Sequence, residues 1–265
     1  MNYNFLNKLL LKNFTKFFPK TINRKLFRKY KIFFVPTKLL NLPNSFYPVT
    51  TNLKSQMNFV FEFNKNKKLI NGTTKKNLDK FLFNLYKNRS FSFLDVGGDN
   101  IDLYLFLSKN LQIKNYFIFN FTQIILIFKK IKSKFNYKKF YPTHKIHSLK
   151  NVDFVYFGSC IQYFKNYKYF LKIIFSKKPK YILFSGTSFF SNSINNDTLV
   201  VKQTNILPST VYLFFFNFKN FINFFNDHGY KLVNFTKNHT TKVNYKNFKP
   251  LLKKVEYLDL LFKKK

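Results

Sequence analysis

From residue 91 onward the chain alternates between short apolar runs and stretches with apolar residues at helical spacing. Runs at 91–97, 116–121, 152–158, 180–185 and 230–236 predict strands, and patterns around 101–110, 122–133, 162–176 and 217–228 predict the helices between them. This rhythm predicts an α/β fold with a mostly parallel central sheet and helices on both faces. Upstream, Leu78, Phe81, Leu82 and Leu85 share one face of a predicted helix from Lys75 to Tyr86. Still earlier, Phe5, Leu6, Leu9, Leu10, Phe14, Phe17 and Phe18 recur at helical spacing with Lys8, Lys12, Lys16 and Lys20 between them. They predict a basic amphipathic helix over 4–18, stopped by Pro19. Pro36, Pro43 and Pro48 mark an irregular connector. The chain therefore divides into a basic helical extension and connector at 1–50 and an α/β domain at 51–265.

In a sheet of this kind ligands lie beyond the carboxyl ends of the strands, where strand order reverses. The residues just after each predicted strand are thus the candidates: Gly97 to Asp99, Asn120, Ser159 to Gln162, and Ser185 to Phe189. The first group stands out. The run Ser92-Phe93-Leu94-Asp95-Val96-Gly97-Gly98-Asp99-Asn100-Ile101-Asp102 holds three of the chain's ten carboxylates within eight residues. An apolar strand entering a Gly-Gly turn before a helix presents backbone to a nucleotide-derived ligand. Local roles compete with that reading. Asp95 could accept loop N–H groups and shape the turn, Asp99 and Asp102 could begin the next helix at its positive end, and Ser159 could cap the helix that follows it.

Composition changes the picture little. The chain has no Ala or Trp and only three Arg among 265 residues, while Lys, Asn, Phe, Ile and Tyr dominate. That is the pattern an AT-rich genome imposes. A formal charge of +37 invites nucleic acid or an anionic membrane as partner, but the lysines run along the whole length and read as solvated surface, which disfavours nucleic acid. The single cysteine, Cys160, excludes an intrachain disulfide, fits a reducing cytoplasmic compartment and reads as an inert buried thiol. His144 and His147 have no Cys or paired carboxylate at ligand spacing beside them, so no metal site is expected. No apolar run reaches the ~18 residues that span a bilayer, although the basic helix at 4–18 suits peripheral contact with a membrane.

The order of short motifs is more telling than any one of them. It runs Leu94-Asp95-Val96-Gly97-Gly98, Tyr116-Phe117-Ile118-Phe119-Asn120, Val152-Asp153-Phe154-Val155-Tyr156-Phe157-Gly158-Ser159-Cys160-Ile161-Gln162-Tyr163 and Pro179-Lys180-Tyr181-Ile182-Leu183-Phe184. Later pieces are Val200 to Tyr212, with Gln203 and Pro208-Ser209, and Phe221 to Gly229-Tyr230. Over about residues 75–262 this resembles S-adenosylmethionine-dependent methyltransferases of the Rossmann-like class. More narrowly, it resembles a bacterial methyltransferase family often associated with surface-polysaccharide genes. The resemblance implies S-adenosylmethionine as cofactor and a small-molecule or glycan acceptor. It implies cofactor contacts from Asp95, Gly97, Gly98, Asp99, Asn120 and Ser159, and acceptor-side contacts from Gln162, Tyr163, Thr187 and Ser188.

Two departures accompany the resemblance. Such loops usually carry glycines where this chain has Asp99 and Ile101, and an acid that accepts from both ribose hydroxyls where it has Asn120. Fewer glycines restrict the backbone, and an amide brings one accepting oxygen without charge. A general base is required only for a hydroxyl or ammonium acceptor, and His144, His147, Asp153 and Tyr163 are unranked candidates. The alternative reading is a catalytically silent Rossmann-like module that binds RNA, a membrane surface or glycan-assembly partners.

Overall fold

A computed structural model of the chain describes residues 31–34, 53–66, 75–191, 197–206, 209–237, 243–244 and 254–265. The helix expected at 4–18 and the proline connector lie outside these residues. The strands are β1 (Lys31–Phe34), β2 (Phe91–Val96), β3 (Ile113–Phe119), β4 (Phe140–Thr143), β5 (Phe154–Gly158), β6 (Tyr181–Ser191), β7 (Thr198–Ile206), β8 (Ser209–Asn217), β9 (Tyr230–Lys237), β10 (Val243–Asn244) and β11 (Lys254–Lys264). The helices are α1 (Leu53–Asn66), α2 (Lys75–Tyr86), α3 (Asp102–Asn110), α4 (Thr122–Phe135), α5 (Tyr167–Ser176) and α6 (Phe218–Asp227).

β2 lies centrally, parallel to β3 on one side and to β5 on the other, with β4 parallel to β3 and β6 parallel to β5. β11 runs antiparallel to β6 and then to β9. The central order is thus β4-β3-β2-β5-β6-β11-β9, in which only β11 is reversed. Strand order turns back at β2. The chain steps outward through β3 and β4, then returns to the other flank of β2 as β5, which opens a crevice at the carboxyl end of β2.

The period-two pattern of the strands explains the three layers. Leu94 and Val96 of β2, Val155 and Phe157 of β5, and Ile182 and Phe184 of β6 join one core with Leu171 and Ile174 of α5 and Phe221 and Phe225 of α6. The alternate residues Phe91, Phe93, Phe154, Tyr156, Tyr181 and Leu183 form the opposite core with Leu78 and Leu82 of α2, Leu107 of α3, and Phe128 and Ile131 of α4. With no alanine available, aromatic rings fill both layers. Phe157 stacks on Phe184 at 4.6 Å and Phe93 on Phe154 at 5.5 Å between centroids.

The sequence reading lacked β1, β4, β7, β8, β10 and β11, and it ended β6 too early. The strand expected at 180–185 continues to Ser191 because β11 pairs with it from Tyr181 to Ser191. Beyond β5 its other flank passes to β8 at Phe189 and Phe190. β8 forms an antiparallel hairpin with β7, and β1 and β10 extend that edge. Opposite Ser185 and Gly186, the register of β11 slips between Leu258 and Leu260. There the buried Asp259 carboxylate accepts from Ser185 Oγ at 3.0 Å and Gly186 N at 2.7 Å, which satisfies the bulge.

Candidate functional site

The turn that leaves β2 is built from beneath by Asp95. This carboxylate is 3% exposed, and its Oδ2 accepts from Tyr116 Oη on β3 at 2.9 Å. Burial, then the Asp95 charge and hydrogen bond, push the Tyr116 hydroxyl well above its ordinary range, so it stays a proton donor. A side chain on Gly98 would place Cβ only 2.3 Å from Asp95 Oδ2. Position 98 is glycine because the carboxylate occupies that space.

Gly97 has φ +74°, and a Cβ there would lie 2.7 Å from Cys160 Cβ. Its N–H donates to Phe119 O at 2.8 Å, which ties the turn to the end of β3. From the other flank Cys160 Sγ donates to Val96 O at 2.9 Å. Burial, with the Asp95 charge adding to it, pushes this thiol well up, and the sulfur is a packed donor. Ser159 adopts φ +55°, and its Oγ donates to Ser185 O at 3.1 Å. It therefore joins the end of β5 to the middle of β6 and does not cap α5, which begins eight residues later at Tyr167.

Asn120 ends β3 and leans over the turn. Its Nδ2 donates to Gly98 O at 2.7 Å, and its Oδ1 accepts from Phe121 N at 2.7 Å. Asp99 is exposed at the crest, while Asp102 is the first residue of α3, where its charge faces the positive helix end. Gln56 of α1 completes the site. It is 2% exposed, its Nε2 donates to Asp99 O at 3.1 Å, and its Oε1 accepts from Ile101 N at 2.9 Å. No motif in the sequence pointed to Gln56, because its partners are peptide groups.

The residues expected on the acceptor side divide. Gln162 is 2% exposed in the short turn Ile161–Tyr163, with Nε2 donating to Ser159 O at 2.9 Å and Oε1 lacking a partner among the described residues. Tyr163 packs partly buried against the core. Thr187 and Ser188 lie within β6 and are fully buried. Ser188 Oγ donates to Phe214 O of β8 at 2.9 Å, whereas Thr187 Oγ1 has no partner among the described residues. Among the base candidates, Asp153 is displaced from the site. It precedes β5, and its Oδ2 accepts from Ser92 N at 2.8 Å near the start of β2, at the opposite end of the sheet. His144 and His147 are exposed beyond β4, two strands out from β2. Among the described residues no three His, Cys, Asp or Glu side chains cluster as metal ligands, and no helix is long and apolar enough to cross a membrane.

No family model and no curated protein matches this sequence. Solved structures do match the fold. The chain is similar to 1,6-didemethyltoxoflavin-N1-methyltransferase of Burkholderia thailandensis, crystallised with 1,6-didemethyltoxoflavin and S-adenosylhomocysteine, at 11% identity and TM-score 0.50 over 87% of this chain and 94% of that one. It is similar also to the N-terminal domain of EvdMO1, crystallised in the presence of S-adenosylhomocysteine and D-fucose, at 9% identity and TM-score 0.52 over 75% and 86% of the two chains. With these likenesses and its own strand order, the chain has the mixed α/β, mostly parallel Rossmann-like fold of methyltransferases.

Proposed function

We propose that this protein is an S-adenosylmethionine-dependent methyltransferase acting on a small-molecule or glycan acceptor. The observation that carries the reading is the tight Gly97-Gly98 turn at the carboxyl end of β2, at the point where a methyltransferase-like sheet reverses its strand order. S-adenosylmethionine, when bound, supplies a methyl carbon on a positively charged sulfur.

The residues at the turn suit such a cation. Asp99 at the crest and Asp102 at the start of α3 place negative charge at the crevice of an otherwise strongly basic chain. Asn120 Oδ1 keeps a second lone pair with which to accept from a hydroxyl. Asp95 acts from below by fixing the turn. On the acceptor side, Gln162 Oε1 and Thr187 Oγ1 are the buried oxygens open to a donor group, with β8 packed beside the Ile161–Tyr163 turn. The chain's main task is alignment, because methyl transfer is an in-line displacement that needs the nucleophile close and collinear. For a hydroxyl acceptor, Tyr163 is the candidate base nearest this turn. The basic segment at 4–18 would hold the enzyme against an anionic membrane surface.

Calorimetric titration tests the reading without knowledge of the acceptor. S-adenosylmethionine and S-adenosylhomocysteine should each bind saturably with Kd of roughly 10 μM or tighter, a free energy near −7 kcal/mol. A folded protein that binds neither at millimolar concentration would refute it and favour the silent module.

A further inference from the structure

We propose that Gln56 and Asn120 are positioning residues that clamp the turn Gly98–Ile101 in the form that receives the cofactor. The inference rests on the methyltransferase reading above and adds to it a residue outside the span of the sequence resemblance. Across residues 97–101 the backbone has positive φ only at Gly97, and the later positions carry the side chains of Asp99 and Ile101. Ile101 sits at φ −85°, ψ −7°. A turn with fewer glycines has fewer conformations open to it, and it must be held in the one that fits.

Two amides hold it. Gln56 reaches in from α1 with both ends on backbone, donating to Asp99 O and accepting from Ile101 N. Asn120 donates to Gly98 O from the end of β3, and its own orientation is fixed because Oδ1 accepts from Phe121 N. At position 56 the amide supplies a donor and an acceptor on separate atoms of one planar group, which matches the Asp99 carbonyl and Ile101 N–H, and only a donor serves at Gly98 O. A carboxylate at 120 would face that carbonyl with no proton to give. Asparagine at this position is therefore a requirement of the turn in this chain. Both side chains act on the loop, Asn120 in addition to the acceptor role of its Oδ1 given above, and neither is assigned contact with the reacting atoms.

The test combines equilibrium binding of S-adenosylhomocysteine with hydrogen exchange at residues 98–102. Gln56→Leu should weaken binding at least about tenfold and remove protection of the Ile101 amide. Val60→Ala, a fully buried site on the same helix with no bond to the turn, should lower thermal stability yet keep affinity within roughly twofold. Asn120→Asp should weaken binding, whereas a residue serving only as a ligand acceptor would bind more tightly as the stronger acceptor. Unchanged affinity in Gln56→Leu, or a gain in Asn120→Asp, overturns the clamp. If the wild-type protein binds no ligand, the methyltransferase reading fails separately. Exchange then decides the clamp: protection lost in Gln56→Leu upholds it, and protection retained overturns it.

Discussion

Gly98→Ala should cost on the order of 3 kcal/mol, the upper end of what an added methyl group costs in a tightly packed site, and should lower S-adenosylhomocysteine affinity at least about tenfold. The new Cβ would lie 2.3 Å from Asp95 Oδ2, 2.7 Å from Asp95 Cγ and 2.8 Å from Ile118 Cδ1. Neither neighbour can yield freely. Ile118 is fully buried, and Asp95 can move only by giving up its bond to Tyr116. Gly229→Ala provides the contrast. Gly229 has φ +82° but no atom within 4 Å of an added Cβ, so its substitution should cost only the backbone strain, about 1 kcal/mol, and leave affinity unchanged. Thermal unfolding and calorimetry of the two variants check both halves. Equal effects on stability would mean that the turn is looser than its contacts indicate.

At alkaline pH the fold should fail as its buried tyrosines are forced to ionise. Burial pushes the Tyr104 hydroxyl up to about 12, and burial likewise raises Tyr86, Tyr116, Tyr156, Tyr167, Tyr230 and Tyr257. A group whose folded pKa lies above its unfolded value contributes stability that is complete below the unfolded value, near 10 for tyrosine. That contribution is lost as pH rises toward the folded value. Each such tyrosine therefore removes up to about 1.4 kcal/mol per pH unit above 10. Phenolate absorbance from the buried tyrosines should rise in a cooperative stage that coincides with loss of circular dichroism. A single smooth titration centred near the free value, with the dichroism intact, would contradict the burial of these hydroxyls.

The central strands were legible because β2, β3 and β5 are apolar runs in which period two serves two cores at once. The peripheral ones were not. β4 has four residues and includes Pro142, so it reads as a turn, and its place is set by parallel pairing to β3. β11 interrupts its apolar residues with Asp259, which in sequence suggests solvent and in the fold satisfies the bulge opposite Gly186. β6 was read too short because its second half is stabilised by β11 and β8, both distant in sequence. The site was legible in the same measure. Asp95, Gly97, Gly98, Asn120 and Ser159 lie at or just past the carboxyl end of a strand, and parallel strands bring those ends to one edge. Asp153 begins its strand instead, which places it at the far end. Gln56 lies 45 residues from Ile101 and binds only peptide groups, so residue identity around the turn left no trace of it.

The most direct test of the central claim is photo-crosslinking with methyl-labelled S-adenosylmethionine followed by peptide mapping, because it asks where the cofactor sits and needs no acceptor. Label should appear within residues 90–109 or 115–129, which contain the Gly97–Asp102 turn and Asn120, and excess S-adenosylhomocysteine should suppress it. A folded protein that takes up no suppressible label, or takes it only elsewhere in the chain, would contradict a cofactor site at the carboxyl edge of β2.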